Sequence, residues 1–190
     1  MRGASGAVDH VRQENGTVLF HTVDDAPAIG LCGSGLLDLV AVLLELNIID
    51  ESGKLTCGER YTLPGTDVFL TQKDIREVQL AKAAVAAGIR VLLQQRSLTP
   101  EQLDGVYLAG GFGSYLDPES AAAIGMLPRA CAGKLHTLGN TALAGAAVLT
   151  LDGAQWQRIR AISRACSYLE LSGRADFAAA FTENLSFPQP

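Results

Sequence analysis

The chain has 190 residues, a formal net charge of −5 and 48% apolar residues. That is enough for one domain with a real core, while the scattered basic residues form no stripe for nucleic acid and the longest apolar runs, about ten residues, are too short to span a bilayer. Cys32, Cys57, Cys131 and Cys166 lie far apart with no C-x-x-C, so a disulfide framework, a zinc ribbon and an iron–sulfur cluster all lack support.

Reduced thiols and the absence of a charged-then-apolar leader point to the cytoplasm. The opening "MRGASGAVDHV" enters a strand almost at once and reads as the middle of a domain. Two β-like runs then flank Asn15-Gly16, the strongest short hairpin signal. "APAIGLCGSGLLDLVAVLLELNIID" passes through a glycine cluster into an apolar helix, about 34–47, with a turn at 51–53. A loop at Pro64-Gly65 precedes a strand at 68–70. Thr71 with Asp74 resembles a capping box and opens a long helix over 72–96. Thr99, Pro100 and Gln102 mark another helix start.

"GVYLAGG" predicts a short buried strand, and Asp117-Pro118 caps a helix to about Ile124. "KLHTLGN" predicts a strand and "TALAGAAVLTLD" an Ala-rich helix. A further helix is predicted over 154–166, a strand at "SYLEL" and a last helix over 175–183. Helices alternating with buried strands favour a mixed, mostly parallel sheet covered on both faces, an α/β fold in one compact domain.

Two glycine clusters sit at element junctions: Gly30, Gly33 and Gly35 in "IGLCGSGLLD", and Gly110, Gly111 and Gly113 in "LAGGFGSYLD". Glycine permits positive φ and close backbone approach. Helix starts attract anions, and ligands of open α/β sheets bind beyond the carboxyl ends of strands. Two such clusters suggest one phosphate-bearing ligand gripped from two sides; the alternative is a pair of tight turns. Walker, dinucleotide-binding and nucleophile-elbow patterns are all missing. Ser34 has no base in a known pattern, and His10, His21 and His136 read as structural. Cys32 reads as a small packing residue beside a helix start.

Four stretches in order, "MRGASGAVDHV", "GLCGSGLLD", "LTQKDIREVQLAKAAVAAGI" and "LAGGFGSYLDPESAAAIGMLP", are followed by "LGNTALAGAA" and "DFAAAFTENLSFP". Together they resemble the C-terminal region of the ATP-dependent reductive activators of corrinoid proteins, over nearly the whole chain. That family belongs to the superfamily of acetate and sugar kinases, Hsp70 and actin, and is more distantly similar to the activators of 2-hydroxyacyl-CoA dehydratases. The resemblance implies a ribonuclease-H-like lobe spanning residues 1–190, the second of two lobes that hold ATP or ADP with Mg²⁺ between them. It implies that Gly110, Gly111 and Gly113 lie against nucleoside and α-phosphate, with Ser114 touching the nucleotide. Gly33, Ser34 and Gly35 would line the site near phosphate. Gln79 and Lys82 would face adenine or ribose, and Asn140 would belong to the site at the head of a connecting helix. On that helix Ala144, Gly145 and Ala146 would permit close helix contact, or ordinary packing.

Complete activators of this kind would couple ATP hydrolysis to the one-electron reduction of a cobalt(II) corrinoid protein to cobalt(I). The first lobe and the ferredoxin-like domain with its iron–sulfur cluster have no counterpart in these 190 residues, so this chain alone is expected to do neither. Asp38 is the nearest candidate acid for the hydrolysis, the alternative being a cap or a solvated position. The expected partner is a corrinoid protein of a methyltransferase system, with no nucleic acid and no membrane, and with a homodimer through the surface a first lobe would cover. Two other readings stand beside this one: a docking module for the corrinoid protein, and half of a kinase-like phosphotransferase for a small molecule.

Overall fold

The computed structural model describes residues 1–111, 113 and 115–189. The hairpin forms as its turn demands. Strands β1 (Ala7–Glu14) and β2 (Thr17–Thr22) pair antiparallel around Asn15 and Gly16, both at positive φ. A bulge near Asp9 shifts the register between Val8 and His10. The two-residue strand β3 (Gly30–Leu31) adds parallel to Ala7 and Val8 on the other edge of β1.

Helix α1 (Gly33–Glu45) follows at once and supplies the centre of the core. Leu39, Val40 and Leu43 are buried against Val8, Val11, Ile75 and Ile124. Each such side chain contributes roughly 1.5–3 kcal/mol by leaving water. Strands β4 (Arg60–Thr62) and β5 (Phe69–Thr71) form a second antiparallel pair. The sequence predicted only β5, because "RYT" is too short for an alternation to show.

The Thr71–Asp74 capping box is present, and α2 runs Gln72–Gln95. It packs against α6 (Ala175–Glu183), the last helix. The Thr99 start gives a single 3₁₀ turn over Pro100–Gln102, with Gln102 accepting the Thr99 N–H. Strands β6 (Val106–Leu108) and β7 (Leu135–Thr137) pair parallel. Between them lies α3 (Pro118–Ala123), capped by Asp117, which packs on α1. The predicted burial of β6 is incomplete: Tyr107 is exposed and stacks on His136.

Helices α4 (Thr141–Leu151) and α5 (Gln155–Ala165) stand outside this core, and neither has a buried residue. Leu151 is 87% exposed and Tyr168 is 85% exposed. Ala144, Gly145 and Ala146, expected at a close helix contact, are all exposed here. The predicted strand at "SYLEL" does not form among the described residues. A strand needs a partner edge, and no described strand pairs with this segment; Tyr168 instead donates to Glu170, whose carboxylate accepts the Ser172 N–H. The α/β class is as the sequence reads, with the described strands in a three-stranded mixed sheet and two pairs.

Candidate functional site

The parallel pair β6–β7 brings two glycine turns together at its carboxyl end. Leu138 N–H donates to the Leu108 carbonyl, and Gly110 N–H to the Gly139 carbonyl, both at 2.8 Å. Gly110 has φ +96°, which only glycine adopts without strain. A Cβ at either Gly110 or Gly111 would meet no described atom within 4 Å, so the bare backbone of this turn faces open space. Gly113 is half-buried, and a Cβ there would lie 3.2 Å from the Ala109 carbonyl oxygen. Asn140 sits next to Gly139, and its side chain accepts the Leu143 N–H as the cap of α4. Ser114 lies outside the described residues.

The other glycine cluster is at the carboxyl end of β3. Gly35 is there for packing: any Cβ would collide with the Val8 carbonyl oxygen. Ser34 is buried, with its hydroxyl 3.3 Å from the Cys32 sulfur. Gly33 is half-buried at the head of α1, which no side chain caps. The start of α3 is capped as the Asp117-Pro118 signal predicts: the Asp117 carboxylate takes the Ser120 N–H at 2.7 Å.

Gln79 and Lys82 lie elsewhere. Both are 1% exposed on α2 and are engaged by the C-terminal tail. Gln79 donates to the carbonyls of Ser52 (3.0 Å) and Leu185 (2.9 Å) and accepts from Arg76. Lys82 donates to the Ser186 carbonyl and lies over the Phe187 ring. Burial lowers the Lys82 pKa to about 8.

Asp38 is neither a cap nor solvated; it is 2% exposed in the middle of the α1 packing face. Its Oδ2 accepts the Val11 N–H at 3.3 Å and lies 3.5 Å from His10 Nδ1. Val11, Asp117 and Ser120, which surround that carboxyl, also line a cavity of about 920 Å³ between β1, α1, α3 and the tail. The sequence signal for this grouping was an acid inside an apolar run; its neighbours on β1 and α3 left none. Among the described residues no group of three or more His, Cys, Asp or Glu can hold a metal ion. No helix of the described residues is long and apolar enough to cross a membrane.

An α/β lobe with glycine turns at the carboxyl ends of parallel strands belongs to the class of folds that bind ligands beyond those ends. A family model described as the C-terminal domain of RACo, the ASKHA domain, matches residues 1–190, and the chain belongs to that family. It is 30% identical to the corrinoid activation enzyme RamQ of Eubacterium limosum, over 98% of this chain and 36% of that protein. It is 31% identical to the [Co(II) methylated amine-specific corrinoid protein] reductase of Methanosarcina barkeri, over 72% of this chain and 25% of that one. A solved reductive activator for corrinoid, iron–sulfur protein matches with a TM-score of 0.88 at 33% identity, covering 100% of this chain and 33% of that chain. The chain thus spans about a third of RamQ and of that solved relative.

Proposed function

We propose that this chain is the ATP-binding C-terminal lobe of a reductive activator of corrinoid proteins. In the longer polypeptide, ATP hydrolysis would drive transfer of one electron from an iron–sulfur domain to a cobalt(II) corrinoid protein, giving cobalt(I). Residues 1–190 would form one lobe. The first lobe and the iron–sulfur domain would lie in polypeptide outside it, and the partner would be the corrinoid protein of a methyltransferase system.

The carrying observation is Gly111. Its backbone faces open space at the carboxyl end of parallel strands, beside the Gly139–Asn140 turn and in a family named for its ASKHA domain. A nucleoside can lie flat on such backbone, and any side chain would displace it. Mg²⁺ keeps most of its water and is held largely by the nucleotide's phosphates.

The test is calorimetric titration of the chain with ADP–Mg and ATP–Mg beside Gly111→Val. Because a Cβ at Gly111 touches nothing, the variant should keep the wild-type melting temperature while losing nucleotide. Binding that survives Gly111→Val would remove the turn from the site. A second reading, a docking module for the corrinoid protein, is favoured by the exposed apolar α4. No heat with either nucleotide, with a corrinoid protein retained on the chain, would support it.

A further inference from the structure

The second half of α2, residues 98–100, the end of α3 and the C-terminal tail enclose a cavity of about 460 Å³. That is room for a small ligand. The cavity lies where the chain enters the parallel pair: residues 98–100 lead into β6 and residues 128–129 into β7. The Gly110 and Gly139 turns are at the other, carboxyl end of that pair, and neither lines it.

Its walls are held in place. Gly125, at the end of α3, has φ +74°, and a Cβ there would come 2.7 Å from Pro188 Cγ, so the helix end and the tail lie directly against each other. The tail is pinned in turn: Gln79 donates to the Leu185 carbonyl, Lys82 donates to the Ser186 carbonyl, and Phe187 is buried in the core.

The lining is apolar with cations added. Ile89, Leu93, Leu98 and Leu127 supply hydrocarbon. The charged side chains among the lining residues are Arg90 and Arg129, and no described carboxylate lines the cavity, in a chain whose net charge is −5. Arg90 meets Glu183 through one nitrogen, and Arg129 gives one nitrogen to the Gln189 carbonyl. A guanidinium has further N–H donors beyond one such contact, and an exposed ion pair is a weak competitor for them. The Lys82 amine stands behind the Gly125 wall, 3.5 Å from where a Cβ would lie. A carboxylate matches the fork of an arginine, and an alkyl or aryl group gains by leaving water against the leucines. A cation would meet like charge.

We propose that this cavity binds a small amphiphilic carboxylate, with its apolar part against Ile89, Leu93 and Leu127 and its carboxylate at Arg90 and Arg129. Asn184 and Pro188 form one wall, so the bound molecule also holds the tail against α2. The site is separate from the nucleotide site and does not rest on the proposed function.

The test is a titration of the nitrogen-15-labelled 190-residue chain with hexanoate, hexanol and hexylammonium as probes. Hexanoate should give saturable amide shifts at Ile89, Thr99 and Gly125, and should bind at least about tenfold more tightly than hexylammonium, because only the anion makes charge-assisted hydrogen bonds to the arginines. It should also slow amide exchange at residues 185–187. Arg129→Gln should weaken hexanoate roughly tenfold and leave hexanol unchanged, which shows the cavity intact. Ala86→Trp, which fills the cavity from a half-buried position on α2, should abolish the shifts at Gly125; the arginine variant decides the matter if the tryptophan variant does not fold. Shifts that never saturate, shifts confined to residues 143–162, equal affinity for the ammonium probe, or hexanoate binding unchanged in Arg129→Gln would each overturn the proposal. So would displacement of hexanoate by ADP–Mg, which would make the cavity part of a nucleotide site. Absence of ADP–Mg binding beside normal hexanoate binding would count against the proposed function alone.

Discussion

Gly35 and Gly111 look alike in the sequence, each in a glycine cluster shortly after a strand. Their surroundings make them opposites. A methyl at Gly35 runs into the Val8 carbonyl oxygen, and backbone cannot swing away as a side chain can. Gly35→Ala should cost about 1–3 kcal/mol, the range for overpacking a tight core, read from urea unfolding. Lys82 makes a pH prediction. Its folded value of about 8 lies below the ordinary 10.5. The neutral amine is favoured in the fold, so between those values the unfolded chain holds more proton, and stability rises with pH. Below pH 8 the lysine is charged in both states and adds no slope. The fall from 10.5 to about 8 corresponds to roughly 3 kcal/mol over that interval. Urea unfolding from pH 7.5 to 10.5 should show this rise in the wild type and a smaller one in Lys82→Met.

At the scale of elements, a cap and a face decide more than propensity does. The Asp117 cap holds a helix of only six residues, so little else fixes its start. Asp117→Ala should lose about 1 kcal/mol and loosen amide protection at Ser120. Helix α4 shows the reverse case. It is apolar on every side, and such a helix is ordinarily buried, yet it has no buried residue here. Leu151→Lys should therefore leave the unfolding free energy within about 0.5 kcal/mol of wild type. A large loss in the same urea assay would mean that α4 packs on the core in solution.

For the whole molecule, the exposed side chains of α4 and α5 form an apolar surface beside a well-packed core. Leu143, Val148, Trp156 and Ile162 are all at least half exposed. We expect the chain to self-associate through this surface as its concentration rises, and Leu143→Arg with Val148→Arg to return it to a monomer. Light scattering decides this, and a wild-type monomer at every concentration would oppose it.

Much of the fold was legible in the sequence because its signals are local. Asn15-Gly16, the Thr71–Asp74 box, the Asp117-Pro118 start and the helical spacing of α1 and α2 act within a few residues, and each element stands where its signal put it. The glycine turns were legible as turns for the same reason. Their surroundings were not. Whether Gly35 meets a carbonyl and Gly111 meets nothing depends on strands distant in sequence. So does the diversion of Gln79 and Lys82 into binding the tail, more than 100 residues later. "SYLEL" has the composition of a strand but no edge to join. Asp38 was visible as an acid in an apolar run. Only the meeting of β1, α1 and α3 around it decided that one of its oxygens would be buried without a donor, because burial is set by what other elements bring to a residue and not by the residue itself.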